Sequence, residues 1–395
     1  MNKISNLFTA IIAVILAACS GSPTIDPPVI EPEESPYFVS VTDSATGTGA
    51  DFLVKTIGNE YLALLFTMTA GNKLADVRVD AIRYYTADPA GKKIIASGIV
   101  ARPASEDIRG VILAGHGTIG ASREAPSEMM TDWMSLLALA GYMVVSPDYI
   151  GYGASKDLPH PYLHAGLTAS ACIDMYFAVR DYMAMLGEPL PSKELHVMGY
   201  SQGGSAALAV QKLAETEYTD EISIRSVMAG GGPYDLTLIF DQVKEKQIEP
   251  SPFIPMVILG LDYGDSLQLD YSQFFLAPLL NSYREWIFGK ELTIGEIHER
   301  IGNDFLSPAL FAGEANADVA KLYASLEANS LVGWKPNAPL TLIHGRTDAT
   351  VPPACAEKAY QSFTELGAKV ELKMAASGHT DTILFFILEV LKQFT

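Results

Sequence analysis

A serine, an aspartate and a histidine, each following an apolar run, could together carry nucleophilic acyl transfer. Ser201 lies in LHVMGYSQGG, where a strand-like stretch runs into glycines and then into the helix former AALAVQKLAETE. The pattern G-x-S-x-G, with Gly199 and Gly203 flanking the serine, is that of a nucleophile elbow. There a sharp, strained turn presents the hydroxyl, and neighbours two residues away must lack side chains that would clash. A hydroxyl needs an adjacent base to act as a nucleophile. His379, in ASGHTD, follows the last strand-like run, and Asp348, in LIHGRTDATVP, ends the run before it. A carboxylate there would fix the tautomer of the base and stabilise its charge. The chain order Ser201, Asp348, His379 is that of one known topology of this constellation. A tetrahedral intermediate also requires two preorganised N–H donors. The backbone N–H of Gln202 supplies one. The other is expected from GHGTIG, at Thr118, with Gly117 the alternative.

Other residues compete for these roles. Asp148, in VVSPDYIGYG, also ends a strand-like run, and is expected to hydrogen-bond the glycine-rich turn that follows it. Asp381 reads as a helix N-cap. His116 and His344 precede glycines at strand ends, with His344 expected to pack beneath the acid loop. His196 falls inside a strand, and His298 in the charged helix IGEIHER. His160 and His164, in DLPHPYLHAG, have the spacing of a helical metal pair, but Pro159 and Pro161 oppose a helix. They are expected to line a pocket mouth or to cap and pack, and no metal site is expected.

The elements that must position these residues alternate. VRVDAIRYYTAD and KIIASGIVARP read as paired strands. Strand and helix patterns then take turns: RGVILAGHGT, SEMMTDWMSLLALAGY, YMVVSPDYIGYG, TASACIDMYFAVRDYMAML, ELHVMGYSQGG, SAALAVQKLAET and ISIRSVMAGGGPYD. After an irregular, aromatic-rich interval the alternation resumes with APLTLIHGRTD, PACAEKAYQSFTELG, AKVELKMAASGH and DTILFFILEVLKQF. Such alternation implies a mostly parallel sheet with helices on both faces. Chemistry in such sheets sits at the carboxyl ends of strands, where the glycine-rich turns fall.

The chain has 395 residues, 49% hydrophobic and 18% charged, with a net charge of −19. That is ample for a large core, and its acidity argues against nucleic-acid binding. Residues 1–18 read as an export signal: Lys3, then an apolar run of about a dozen residues, too short to span a bilayer. It ends in Leu16-Ala17-Ala18-Cys19, which resembles a bacterial lipobox with Cys19 lipidated. Residues 19–40, rich in proline, serine and acid, read as a flexible tether. The expected location is a bacterial outer membrane, on its periplasmic or surface face. Cys172 and Cys355 read as buried thiols, too few for a disulfide framework.

Together GHGT, PDYIGYG, GYSQGG, HGRTDATVP and SGH resemble the α/β-hydrolases, over roughly residues 77–235 and 339–395. PDYIGYG followed by GYSQGG, with a helical insertion before the acid strand, is similar to the secretory lipase family and its bacterial relatives. The resemblance implies an α/β-hydrolase fold, with core segments 41–234 and 336–395 and a helical cap at 235–335. It also implies hydrolysis of small-molecule carboxylic esters, acylglycerols included, without a cofactor. The chain departs from the fungal members in its few cysteines. Eight aromatics between Pro250 and Gly289 suit an apolar pocket under the cap, although most are expected to form the cap's own core. Two alternatives use the same fold: a serine peptidase, for which no amine-binding glutamate pair is evident, and a ligand-binding lipoprotein without catalysis.

Overall fold

A computed structural model describes residues 35–58, 74–105, 108–190 and 194–394. The signal segment 1–18, Cys19 and most of the expected tether lie outside the described residues. The tether's last three positions do not remain loose: Phe38–Gly47 forms a strand, β1.

Nine strands build one sheet in the order β1-β2-β3-β5-β4-β6-β7-β8-β9. The other eight are β2 Val77–Ala87, β3 Lys93–Pro103, β4 Gly110–Gly115, β5 Tyr142–Pro147, β6 Glu194–Tyr200, β7 Ser223–Gly230, β8 Leu340–Gly345 and β9 Val370–Ala375. The first three pairings from the β1 edge are antiparallel, and the remainder, from β5 to β9, is parallel. The fold is therefore the expected one. The parallel strands are buried on both faces, so they read as continuous apolar runs rather than alternations. Val111, Leu113, Val197 and Val227 point to the face covered by helices Ala165–Met185, Gln202–Glu217 and Pro353–Glu365. Ile112, Val144, Met198 and Met228 point to the opposite face, against Trp133–Ala140 and the C-terminal helix His379–Phe394.

Two stretches of the chain differ from expectation. The described part of the chain before β2 holds β1 and a helix, Gly49–Ile57, where no regular structure was expected. The β1 sequence FVSVTDSATG pairs only with β2 and is largely exposed, so its pattern of small polar residues carries little period-2 signal. The stretch SEMMTDWMSLLALAGY does not form one helix. Met130 takes a left-handed conformation and Asp132 caps a new start, leaving a short turn of helix, Pro126–Met129, and a 3-10 segment, Trp133–Ala140.

Parallel register aligns the strand ends that carry the site. Gly115 of β4 sits opposite Gly199 of β6, Tyr200 opposite Gly230 of β7, and Gly230 opposite Ile343 of β8. Gly115, Gly199, Gly230 and Gly345 form a row across this rim. A β-carbon at Gly199 or Gly345 would overlap backbone of a turn that lies on the sheet, one at Gly115 would overlap the Tyr149 hydroxyl, and one at Gly230 would overlap the rings of Phe386 and Tyr200.

The described residues between Gly230 and Leu340 add no strand to the sheet. They form helices Leu236–Lys244, Ile254–Asp265, Leu279–Tyr283, Ile294–Ile301 and Ala317–Ala328, with one π-helical turn, Arg284–Phe288. Their own core centres on Phe274, Phe275, Phe305, Leu259 and Leu322. Several contacts fasten this segment to the sheet domain. Gly260 and Gly264 let helix Ile254–Asp265 rest directly on the Tyr162 backbone and the His164 ring, where a β-carbon would overlap them. His164 caps Ala165–Met185 through Leu167 N–H (3.1 Å) and donates through Nε2 to Asp265 (3.1 Å). Lys290, buried and left-handed (φ 56°), donates its ammonium to the carbonyls of Lys156 (2.7 Å) and Leu158.

Candidate active site

Ser201 has φ 59° and ψ −120°, a strained geometry for a non-glycine residue, between β6 and helix Gln202–Glu217. Its amide donates to Gly230 O (2.8 Å), which stitches the turn to β7. The flanking glycines are sterically required. A β-carbon at Gly199 would overlap the Gly203 carbonyl, and one at Gly203 would overlap Gly115 O on β4. The elbow thus seats on two strand ends at once.

His379 opens the last helix rather than preceding it. Its Nδ1 lies 2.7 Å from Asp348 Oδ2, and its Nε2 lies 2.9 Å from Ser201 Oγ. Because a carboxylate only accepts, Nδ1 carries the proton, and in the neutral ring Nε2 is left as an acceptor toward the serine. The Asp348 side chain is fully buried and that of His379 15% exposed. Burial by itself would raise the Asp348 carboxyl. Hydrogen bonds from His344, His379 and the Val351 N–H outweigh it and hold the group well below the usual carboxylate range. Oδ1 accepts from Thr350 N–H (2.9 Å) and Val351 N–H (2.8 Å).

The turn after β4 lies against the elbow, with Gly117 facing the Tyr200 carbonyl and Gly115 packed on Gly203. Tyr149 OH donates to His116 O (3.1 Å) and Tyr152 OH to Ile119 O (2.6 Å), so PDYIGYG holds GHGTIG from one side. Thr118 Oγ1 lies 2.8 Å from the Tyr162 hydroxyl. Gln202 is buried at the first position of its helix. Gln202 thus follows the serine directly, and Thr118 follows the glycine that faces the serine turn.

Against this geometry, residues 127–385 match the family model described as secretory lipase, which is well over half of the chain. The chain belongs to the secretory lipase family. A secreted triacylglycerol lipase of Malassezia globosa is 27% identical to this secretory lipase family member over 198 residues, 46% of this chain and 40% of that protein. The chain thus spans well under half the length of that curated relative. Among solved structures, a Legionella pneumophila protein is 26% identical, with a TM-score of 0.75 and coverage of 90% of this chain and 97% of that one. The rice cell wall degrading esterase LipA of Xanthomonas oryzae shares the fold at 24% identity and a TM-score of 0.73, covering 90% and 96%. Candida antarctica lipase A shares it at 16% and 0.61, covering 86% and 77%.

In this secretory lipase family member the other candidates fall elsewhere. Asp148 is buried and accepts from Ser97 Oγ (2.5 Å), Ser127 Oγ (2.5 Å) and Ser127 N–H (2.8 Å), and it packs on Gly153 of the glycine-rich turn. Asp381 lies inside the first turn of the last helix, since the helix already begins at His379. His196 pairs with Ser226 Oγ (2.8 Å), and the His298 ring sits edge-on to Phe253. Cys172 and Cys355 are buried and free. His344 does more than pack. Its Nε2 lies 3.0 Å from Val351 O and 3.4 Å from Asp348 Oδ2, so it braces the acid from beneath. Tyr200, which nothing in the linear pattern singles out, donates its hydroxyl to His379 O (2.7 Å), at the start of the last helix.

His160, expected to line a pocket mouth or to cap and pack, lines a pocket with Tyr152 and Tyr162. It is buried, with Nδ1 2.7 Å from Ile150 O and Nε2 2.8 Å from the Gln202 amide nitrogen. Burial pushes its pKa down to about 3, and the charges of Lys290 and His116 act in the same direction. An unfolded histidine titrates near 6.5, so between about 6.5 and 3 the unfolded chain binds the proton that the fold refuses. Stability from this group is complete above about pH 6.5 and is lost as the pH falls through that window. His160→Gln, which cannot titrate, should show a shallower fall in Tm than the wild type between pH 6.5 and 4. Parallel Tm curves for the two proteins would show that His160 contributes no such term.

Proposed function

We propose that this chain is a serine carboxylic ester hydrolase. The observation that carries the reading is His379 bridging Ser201 Oγ (2.9 Å) and buried Asp348 (2.7 Å) across a strained elbow. Ser201 attacks the ester carbonyl while His379 Nε2 takes its proton. The new C–O bond leaves negative charge on the carbonyl oxygen, to which the N–H groups of Gln202 and Thr118 donate hydrogen bonds. Asp348 stabilises the imidazolium. Collapse of the intermediate expels the alcohol, which takes the proton from His379, and leaves Ser201 acylated. Water then enters, loses its proton to His379, attacks the acyl carbon and releases the acid, returning the proton to Ser201. Every step uses the chain's own groups.

Family membership and the secreted Malassezia relative support export of this chain. The signal at residues 1–18, lipidation at Cys19 and the tether that follows are part of this proposal. So is a membrane-held position for the enzyme, on which small-molecule esters would be its substrates. No helix among the described residues is long and apolar enough to cross a membrane. Residues 235–335 would act as a cap that dries the site and shapes its pocket. Of its aromatics, Phe288 lines a small pocket shared with Tyr152 and Tyr162, whereas Phe274 and Phe275 form the cap's own core.

A fluorophosphonate probe should label the folded wild-type protein stoichiometrically. The protein should also release p-nitrophenol from at least part of a series of esters from acetyl to palmitoyl, and leave dipeptidyl and prolyl anilides intact. Absence of labelling would overturn the enzyme reading in favour of a binding protein. Anilide cleavage faster than ester cleavage would make it a peptidase.

A further inference from the structure

The geometry points to His160 and Tyr162 as positioning residues that hold both oxyanion donors through their side chains. The inference rests on the oxyanion roles proposed for Gln202 and Thr118. Beyond its main-chain setting, each donor residue has a side-chain partner of its own. Thr118 sits in a turn with glycine at 115, 117 and 120, between the two carbonyls, His116 O and Ile119 O, that Tyr149 and Tyr152 hold. Its hydroxyl meets the Tyr162 hydroxyl at 2.8 Å. Gln202 meets His160 through its side-chain amide at 2.8 Å.

The direction of the second bond follows from the ring. The Ile150 carbonyl can only accept, so Nδ1 of the neutral imidazole carries the proton and Nε2 accepts from the Gln202 amide. A buried, uncharged histidine is the chemistry this contact needs, because a protonated ring would present a donor to a donor.

The two holders are themselves one rigid unit. Tyr162 N–H donates to His160 O at 2.8 Å, closing a three-residue turn about Pro161, whose ring fixes its φ. The turn rests on Gly151 (φ 95°), where a β-carbon would lie 2.6 Å from His160 Cα. Tyr152 and Tyr162 enclose the imidazole, with ring centroids 4.9 and 5.8 Å away. From above, Gly260 of the cap helix seats on the Tyr162 backbone, and Lys290 grips the Leu158 carbonyl two residues before His160. A single loop thus connects the docked cap to the hole that receives developing charge. A shift of the loop would move both donors together.

This predicts transition-state effects rather than binding effects. Tyr162→Phe removes one hydroxyl, and His160→Phe keeps an aromatic ring but no acceptor for Gln202. Each should lower kcat on a p-nitrophenyl ester by roughly ten- to a hundred-fold, with KM changed less than about threefold. Inhibition by a trifluoromethyl ketone, which forms an oxyanion on the serine, should weaken by the same factor as kcat/KM. His160→Gln places an amide oxygen near the position of Nε2 and should restore much of the loss. If His160→Phe does not fold, Tyr162→Phe decides alone. Wild-type kcat in Tyr162→Phe, or a loss confined to KM, overturns the inference while leaving the esterase reading intact. A wild-type protein inert to the fluorophosphonate removes the esterase reading and this inference with it.

Discussion

Replacing Ser201 with alanine should lower kcat by roughly 10⁶-fold and abolish fluorophosphonate labelling without unfolding the protein. Alanine keeps the β-carbon, so it experiences the same strain at φ 59° as serine does and asks nothing new of the backbone. What disappears is Oγ, and with it the group whose proton His379 would take. His379 and Asp348 would then face a site with no nucleophile, and the remaining rate enhancement would come from the oxyanion donors and the pocket, about 10³–10⁴ over water. The Tm should stay close to the wild-type value, since Ser201 Oγ contributes one partly exposed hydrogen bond. A variant that keeps more than about 1% of kcat, or is still labelled, would place the nucleophile elsewhere.

Asp348→Asn should cost about 10⁴ in kcat, by misdirecting a proton rather than by removing a contact. The native carboxylate accepts on both oxygens: Oδ1 from Thr350 and Val351 N–H, Oδ2 from His379, with His344 alongside. An asparagine has one oxygen and one NH₂. Turning the NH₂ toward the backbone would set it against two donors, so the oxygen stays there and the NH₂ faces His379. His379 Nδ1 must then accept, its proton moves to Nε2, and the nitrogen facing Ser201 has no lone pair to offer. The variant should fold, retain KM within a few-fold and lose kcat. Activity within tenfold of the wild type would mean that Asp348 is not the group that sets the tautomer.

Much of this arrangement is written in punctuation. Glycines at the ends of apolar runs mark where strands stop, and in a parallel sheet all those stops share one rim, so the meeting of Ser201, Asp348 and His379 could be read before any coordinates. Other features escaped because they depend on contacts between distant segments. His160 touches Gln202 across 42 residues, and Tyr162 touches Thr118 across 44. The linear sequence shows only a histidine and a tyrosine around a proline. Gln202 was legible as a backbone donor, whereas its amide has a partner of its own. β1 was hidden for another reason: an exposed edge strand buries little, so selection for folding leaves little pattern in it.

The glycine row along the sheet rim bears on how such a scaffold can change. At Gly199 and Gly345 turn backbone occupies the space where a side chain would begin, at Gly115 the Tyr149 hydroxyl does, and at Gly230 the Phe386 and Tyr200 rings do, so the rim has almost no tolerance for drift. The helices between Gly230 and Leu340 close around a core of their own, and the residues they turn toward the shared cavity, such as Ile287 and Phe288, are not spent on holding the sheet together. Invention and constancy are thereby assigned to different stretches of one chain. On the proposed reading, a new substrate preference would be acquired by repainting the ceiling, while the floor on which the reaction stands is left untouched.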